Sequence, residues 1–221
     1  MRYIPGLIAV VLLAGTAAVA APPAETFTIA RVHYDGGGDW YSDPSSLPNL
    51  LAFVGRQTRV QVADTEASVR LGDEELYNYP YLYLTGHGNI SFSPREAARL
   101  RAYLEAGGFM HADDNYGMDE SFRREMKKVF PTRDFVELPA EHELFHSHFD
   151  LTEGLPKVHE HDGERPQAFG LFHEDRLIVV YTYEADLGDG WEDASVHNVP
   201  GDVRQAALRM GANIIVHTLT R

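Results

Sequence analysis

Residues 81–114, YLYLTGHGNISFSPREAARLRAYLEAGGFMHADD, contain the clearest structural pattern of this chain. It opens with a short apolar run, Tyr81–Thr85, passes through residues with helical spacing, Pro94–Ala106, and closes with a second apolar run, Phe109–Ala112. Short apolar runs on either side of a helix are typical of parallel strands that are buried on both faces. The stretch therefore predicts a strand–helix–strand unit with a right-handed crossover.

Similar elements extend outward from this unit in both directions. Before it, the hydrophobic pattern predicts a strand at Phe27–Tyr34, a helix at Leu47–Val54 and a second strand at Arg59–Val62. After it, the pattern predicts a helix at Asp119–Val129, a hairpin of Ala168–Phe172 with Arg176–Tyr183, and a C-terminal helix from Asp202 to about Leu219. Residues 134–166 form a long His-rich excursion, and residues 184–193 form a loop. The alternation predicts a single doubly wound α/β domain with a mostly parallel sheet, helices on both faces and an added hairpin.

The composition limits the classes of function. The chain has 221 residues and a formal net charge of −14. Binding nucleic acid or anionic lipid through charge needs a basic surface, so we expect neither partner. The chain contains no cysteine, which excludes disulfides, thiolate metal ligands and a cysteine nucleophile.

The N-terminal residues have the pattern of a signal peptide. Arg2 gives a short positive start, an apolar stretch covers residues 4–17, and Ala18-Val19-Ala20 fits a small-x-small cleavage pattern. We therefore expect residues 1–20 to be a signal peptide and residues 21–221 to form one domain, periplasmic or secreted, with no membrane span. An uncleaved anchor is the alternative, since the apolar stretch is nearly long enough to span a bilayer.

Histidines and acids follow the two predicted strands of the central unit. His87 lies between two glycines after the first strand, and His111, Asp113 and Asp114 end the second. Ligands of open α/β sheets bind at the carboxyl ends of the strands. Alternation along a strand points His111 and Asp113 to one side and Asp114 to the other. We expect His111 to act as a base or metal ligand and Asp113 to orient it or share the metal; alternatively, the acids cap the next helix.

Loops after other predicted strands add candidates for ligand binding. They are the glycine turn after the first strand and the acidic loop after the hairpin, which also contains Asp189. The expected ligand-binding residues are Gly37, Trp40, His87, Asp114, Asp186 and Trp191.

A divalent metal such as zinc is the candidate cofactor, because imidazole and carboxylate groups are its usual ligands. The predicted metal ligands are His87, His111, Asp113, His142 and His146. A second run, His159-x-His161-Asp162, also has the composition of a zinc site. Solvated loop histidines are the alternative for both histidine runs.

Three motifs resemble those of bacterial domain-of-unknown-function family 4159: YLYLTGHG at 81–88, AGGFMHADD at 106–114 and DLGDGWE at 186–192. The resemblance covers nearly the whole mature chain. It implies a fold related to class I glutamine-amidotransferase-like, flavodoxin-like domains, whose nucleophile elbow would fall near Ala112-Asp113. Because glutaminase chemistry needs a cysteine nucleophile, the resemblance implies the fold and not a cysteine-dependent glutaminase.

Two hypotheses for the function stay open. The first is metal-assisted or general-base hydrolysis of a small polar substrate, a carbohydrate by analogy of fold alone. The second is a non-catalytic binding or assembly module of the cell envelope with an envelope protein as its partner, which the missing cysteine favours.

Overall fold

Seven strands form one sheet: β1 (Ala30–Val32), β2 (Ala67–Val69), β3 (Tyr81–Gly86), β4 (Phe109–Asp114), β5 (Val136–Glu137), β6 (Gln167–His173) and β7 (Arg176–Tyr183). Their order is β2-β1-β3-β4-β7-β6-β5. The strands from β2 to β7 in this order are parallel, and β6 and β5 follow in antiparallel pairing. The computed structural model describes residues 26–221, so the expected signal peptide lies outside the described residues.

Helices cover both faces of this sheet. They are α1 (Ser46–Gln57), α2 (Pro94–Glu105), α3 (Asp119–Val129), α4 (Leu187–Trp191), α5 (Ala194–His197) and α6 (Gly201–Thr220). α1, α4 and α6 share one hydrophobic core, and α2 and α3 share the core on the opposite face. The α/β class, the mostly parallel sheet and the β6–β7 hairpin are therefore confirmed.

The central strands β3 and β4 bring the site together. Every residue of both strands is buried, which explains why their sequences are nearly continuous apolar runs. The register pairs Thr85 of β3 with Asp113 of β4, and Asp113 with Thr182 of β7. Because these strands are parallel, their carboxyl ends lie at one edge of the sheet.

The start of α2 has the capping box that its sequence predicts. Ser93 Oγ accepts a hydrogen bond from the backbone N–H of Glu96 at 3.3 Å. The Ser93 N–H in turn donates to Glu96 Oε2 at 2.8 Å. These reciprocal bonds, with Pro94 in the first turn, set where the crossover helix begins.

Two expected elements differ in the structure. The predicted strand Arg59–Val62 makes only an isolated bridge between Phe27 and Val62, and β2 lies further along the chain. Its alternating pattern is too short to specify a ladder without neighbouring strands. The loop expected at residues 184–193 contains α4, a helix that receives its cap from a distant strand.

None of the helices within residues 26–221 has the length and apolar content needed to cross a membrane.

Candidate functional site

Asp113, in β4, lies at the centre of a fully buried hydrogen-bond network. Its Oδ1 accepts from Thr182 Oγ1 at 2.5 Å, and its Oδ2 accepts from the Gly188 N–H at 2.7 Å and the Tyr83 hydroxyl at 3.3 Å. Burial raises the pKa of Asp113 to about 7, although the bonds from Thr182 and Gly188 lower it. Since Gly188 belongs to the first turn of α4, Asp113 caps that helix from a neighbouring strand.

His111 extends the same network toward the core. Burial lowers the pKa of His111 to about 3, so its ring is neutral. Its Nε2 lies 2.9 Å from Thr182 Oγ1. Thr182 Oγ1 also contacts the Asp113 carboxyl and lies 3.3 Å from Ala112 O, so this hydroxyl links His111 to Asp113 and to the backbone of β4. The other ring nitrogen, Nδ1, is buried without a hydrogen-bond partner.

Asp114 points to the opposite side of β4, as the alternation predicts. Its Oδ1 accepts from the N–H groups of Tyr116 at 3.1 Å and Met118 at 3.3 Å. Burial raises its pKa to about 6. These bonds organise the turn that leads into α3, which is the structural role given above as the alternative for this acid.

His87, Gly37 and Trp40 lie in the loops that follow β3 and β1. The His87 N–H donates to the Asp39 carboxylate, whose other oxygen lies 3.0 Å from His87 Nδ1. Trp40 stacks on His33 with 4.0 Å between ring centroids. Gly37 has a φ of +96° and open space around its Cα. Asp39 therefore orients the exposed side chain of His87 in the loop after β3.

His142 and His146 lie in the excursion. His142 Nδ1 accepts from the Leu144 N–H at 3.2 Å, and His146 Nδ1 lies 2.5 Å from Asp150 Oδ1. Within residues 26–221, no hydrogen bond or ion pair joins either histidine to the residues after β3 and β4. The five-residue metal set of the sequence analysis therefore stays a prediction, and the structure groups other histidines.

The motif DLGDGWE, residues 186–192, folds into the turn that carries α4. Asp186 precedes the helix with a left-handed φ of +51°. Trp191 is fully buried, and its Nε1 donates to Ala207 O at 2.8 Å. The Glu192 carboxylate accepts from the N–H and the hydroxyl of Ser45, both at 2.9 Å. These contacts fix the orientation of α4 against α6 and the start of α1.

Gly188 is required by close approach rather than by its backbone angles. A Cβ at this position would lie 2.7 Å from Asp43 Oδ2 and 2.9 Å from the Tyr83 hydroxyl. Gly188→Ala should therefore lower the free energy of unfolding by about 2–3 kcal/mol, measured by urea denaturation. Gly201→Ala is the matched control, because nothing lies within 4 Å of the added methyl group. Equal stability of the two variants would contradict this packing argument.

Five residues, which we call the His–Asp cluster, meet beside α4: His159, His161, Asp186, Asp189 and His197. Asp189 lies between two imidazoles, with 2.7 Å from its Oδ2 to His159 Nδ1 and 3.4 Å from its Oδ1 to His197 Nε2. Asp186 Oδ2 lies 2.6 Å from His161 Nε2 and 3.5 Å from His159 Nδ1. One ligand atom from each of His159, Asp189 and His197 lies within 4.8 Å of the other two.

Two atoms of this cluster are buried without a hydrogen bond, Asp186 Oδ1 and His161 Nε2. The 2.6 Å contact between His161 Nε2 and Asp186 Oδ2 does not have the angles of a hydrogen bond. Buried polar atoms in folded proteins nearly always have a partner. Both atoms therefore have the properties expected of ligands or of second-shell groups of a bound cation.

Burial and crowding also perturb the two carboxyls of the cluster. Burial, followed by the neighbouring carboxyls, raises the pKa of Asp186 to about 9. Burial raises the pKa of Asp189 to about 8, with Asp43 as its next largest cause. The pKa of His159 and of His161 is lowered, mainly by burial. Without a cation, burial therefore favours the neutral forms of Asp186, Asp189, His159 and His161.

Tyr116 joins the excursion to the end of β4. Its ring stacks on His161 with 4.9 Å between centroids and 10° between planes, and its hydroxyl donates to Asp162 Oδ1 at 3.3 Å. Its φ of +80° is unusual for a residue with a bulky side chain. On the other side, the Val158 N–H donates to Ala185 O at 2.8 Å. The excursion is thus held across the strand ends.

The sequence indicated part of this cluster. His159 and His161 belong to the second histidine run noted above, and Asp186 and Asp189 to the acidic loop. His197 was not singled out, because no motif surrounds it in the sequence. Only the packing of α5 beside α4 brings this residue to the others.

A family model described as "Domain of unknown function (DUF4159)" matches residues 28–219. This range includes the sheet, both faces of helices and the His–Asp cluster. No curated protein matches the chain.

Proposed function

We propose that this chain, which belongs to the DUF4159 family, is an exported protein that binds a divalent metal ion and hydrolyses a small polar substrate. The metal ligands in this proposal are His159, Asp189 and His197, at the carboxyl ends of the parallel strands. The signal pattern of residues 1–20 supports export to the periplasm or the medium.

One observation carries the proposal, the convergence of two imidazoles and one carboxylate to within 4.8 Å. Three protein ligands leave a coordination position for water, which is the arrangement of catalytic rather than structural zinc sites. The side chains of His159 and His197 are about one-third exposed, and that of Asp189 is 11% exposed. Solvent and a small molecule can therefore reach the ligand atoms.

The buried carboxylates next to the ligands support a cation at this position. Asp186 is 2% exposed and has an oxygen without a hydrogen bond. Asp43 and Asp113, which are also buried, lie beside the same helix turn. Buried charges in proteins are normally paired or coordinate a metal. Burial favours the protonated forms of Asp113 and Asp186, and a divalent ion would stabilise their charged forms.

The reaction would use metal-activated water. A zinc ion in such a site lowers the pKa of its bound water to about 7 and polarises the bond to be cleaved. Asp186 and His161 lie beside the ligands, where they can orient the water or the substrate. We assign Asp113 and His111 to positioning, because both are fully buried and their network ends on α4, which carries Asp189.

The test is the metal content and metal-dependent activity of the whole chain, purified without a histidine tag and without chelator. We expect about one equivalent of zinc by mass spectrometry. We also expect hydrolysis of a panel of nitrophenyl esters and amino-acid anilides that a chelator abolishes and added zinc restores. A metal-free protein that binds no added zinc would contradict the proposal.

Two other outcomes would change the function that we assign. Two histidines and one carboxylate also bind non-haem iron, so iron with oxygen consumption would replace hydrolysis by oxidative chemistry. A stoichiometric envelope partner captured by a protein without metal would favour the binding or assembly module.

A further inference from the structure

We infer that the His–Asp cluster accepts neutral or positively charged substrates and rejects substrates that carry phosphate, sulfate or carboxylate groups. This inference rests on the proposed function, because it concerns the substrate of the same metal site. Two observations support it. Carboxyl groups surround the cluster, and the nearby cationic side chains and helix N–H groups already bind other groups of the protein.

Carboxylates surround the cluster on several elements. Asp43 and Asp113 lie next to α4, Glu184 follows β7, and Asp162 follows His161 in the chain. Asp39 contacts His87 in the loop after β3; Asp162 is exposed and Asp39 partly so. Asp186 and Asp189 belong to the cluster itself. Burial favours the protonated forms of Asp113 and Asp186, so the negative charge that a bound ion leaves uncompensated is that of the outer carboxylates, Asp39 and Asp162. An anionic group entering the site would meet repulsion from the remaining carboxylates.

Two cationic side chains lie beside the site, and both are engaged. Lys157 Nζ lies 2.9 Å from Glu160 Oε2 and 3.3 Å from Glu184 Oε2. The Arg31 side chain is 4% exposed, and its guanidinium donates to Ser42 O and Asp43 O. Neither offers the free, accessible donors with which lysine and arginine bind phosphate or carboxylate.

The backbone at the start of α4 is also unavailable for an anion. The N–H groups at the beginning of a helix often bind phosphate. Here the Gly188 N–H donates to Asp113, so a carboxylate of the protein already occupies the place that a substrate anion would take. The site therefore contains carboxyl groups, and neither the two cationic side chains nor this helix N–H group is free to bind an anionic substrate.

Three small hydroxamates of similar size test this inference, because a hydroxamate binds an open zinc position directly. The probes are propionohydroxamate, which is neutral, glycine hydroxamate, which is cationic, and malonate monohydroxamate, which is anionic. Calorimetric titration of the zinc-loaded chain at about pH 6.5 keeps the α-amino group protonated. We expect the anionic probe to bind at least about tenfold more weakly than the neutral one, and the cationic probe to bind as tightly or more tightly.

Substitutions of Asp162 and Asp39, which we call the rim carboxylates, test whether charge or shape causes the weaker binding of the anionic probe. Asp162→Asn and Asp39→Asn remove rim charges without touching the proposed ligands, and both should narrow the difference between the anionic and neutral probes. Asp134→Asn is the control, because Asp134 is exposed and paired with Lys127 at a different place on the surface. Unchanged discrimination in both rim variants would overturn the electrostatic cause.

The outcomes distinguish this inference from the proposed function. Tight binding of malonate monohydroxamate to the wild-type protein would overturn the inference and leave the metal site intact. Binding of zinc without binding of any hydroxamate would mean that no coordination position is open, which contradicts hydrolysis and this inference together. Failure to bind zinc would overturn the proposed function first.

Discussion

Replacing Asp189 with asparagine is expected to lower the zinc affinity of the protein by about 100-fold or more. Asp189 places its two oxygens against His159 Nδ1 and His197 Nε2, so it is the central ligand of the proposed set. Loss of a second-shell partner alone typically costs 10–100-fold in metal affinity, and loss of a direct ligand should exceed that. Titration with zinc against a competing chelator measures the change.

The chain contains a matched control for this substitution. Asp150 also contacts a histidine, with 2.5 Å between its Oδ1 and His146 Nδ1, but the pair lies on the surface of the excursion. Asp150→Asn should leave the zinc affinity unchanged. The pair His197→Ala and His146→Ala makes the same comparison for imidazoles. Similar zinc affinity of Asp189→Asn and Asp150→Asn would place the metal elsewhere.

Asp113→Ala is expected to cause the largest loss of stability, about 3–5 kcal/mol near pH 6. The substitution leaves the buried donors of Gly188 and Tyr83 without an acceptor, while the Thr182 hydroxyl keeps Ala112 O at 3.3 Å. Each unsatisfied buried donor costs about 1–3 kcal/mol. For a domain of this size the loss corresponds to a decrease of about 10 °C in melting temperature. Urea denaturation and calorimetry measure both quantities, with the exposed Asp64→Ala as the control.

The same substitution should also weaken zinc binding. Asp113 caps α4, and α4 carries Asp189, so the loss of the cap releases a proposed ligand without removing it. We expect a decrease of about tenfold to 100-fold in zinc affinity. A variant that loses stability but keeps full zinc affinity would show that α4 holds its position without this cap.

Asp113→Asn separates the hydrogen bonds of this residue from its charge. Asparagine keeps an acceptor oxygen, so this variant should be more stable than Asp113→Ala. The folded pKa of Asp113, about 7, lies above the ordinary value of 3.8. The folded state therefore holds a proton that the unfolded chain releases, and this contribution to stability is present in full below the ordinary pKa and is lost as the pH rises to about 7.

The pH dependence gives a measurable difference between the two proteins. With chelator present, the stability of the wild type relative to Asp113→Asn should decrease between pH 4 and pH 7. Urea denaturation of both proteins across this range isolates the contribution of Asp113, because all other titrating groups are shared. A constant difference would show that Asp113 does not change its protonation on folding in this range.

The fold could be predicted from the sequence because its determinants are local. The apolar runs that became β3 and β4, and the capping box at the start of α2, each lie within a few residues of the chain. The sequence therefore predicts that a site lies at the carboxyl ends of these strands, where histidines and acids follow the apolar runs. The sequence also predicts that His111 and Asp113 point away from Asp114, because successive side chains of a strand point to opposite faces of the sheet.

Which residues form the site could not be predicted in the same way. Asp113 lies 75 residues from Gly188, and their hydrogen bond determines where α4 begins. His159 and His197 reach Asp189 from different loops, and no spacing within either loop indicates the other. The local pattern therefore determined the sheet and the edge at which a site would form. Which histidines and carboxylates meet there was decided by tertiary packing, because contacts between segments far apart in the chain leave no periodic signal in the sequence.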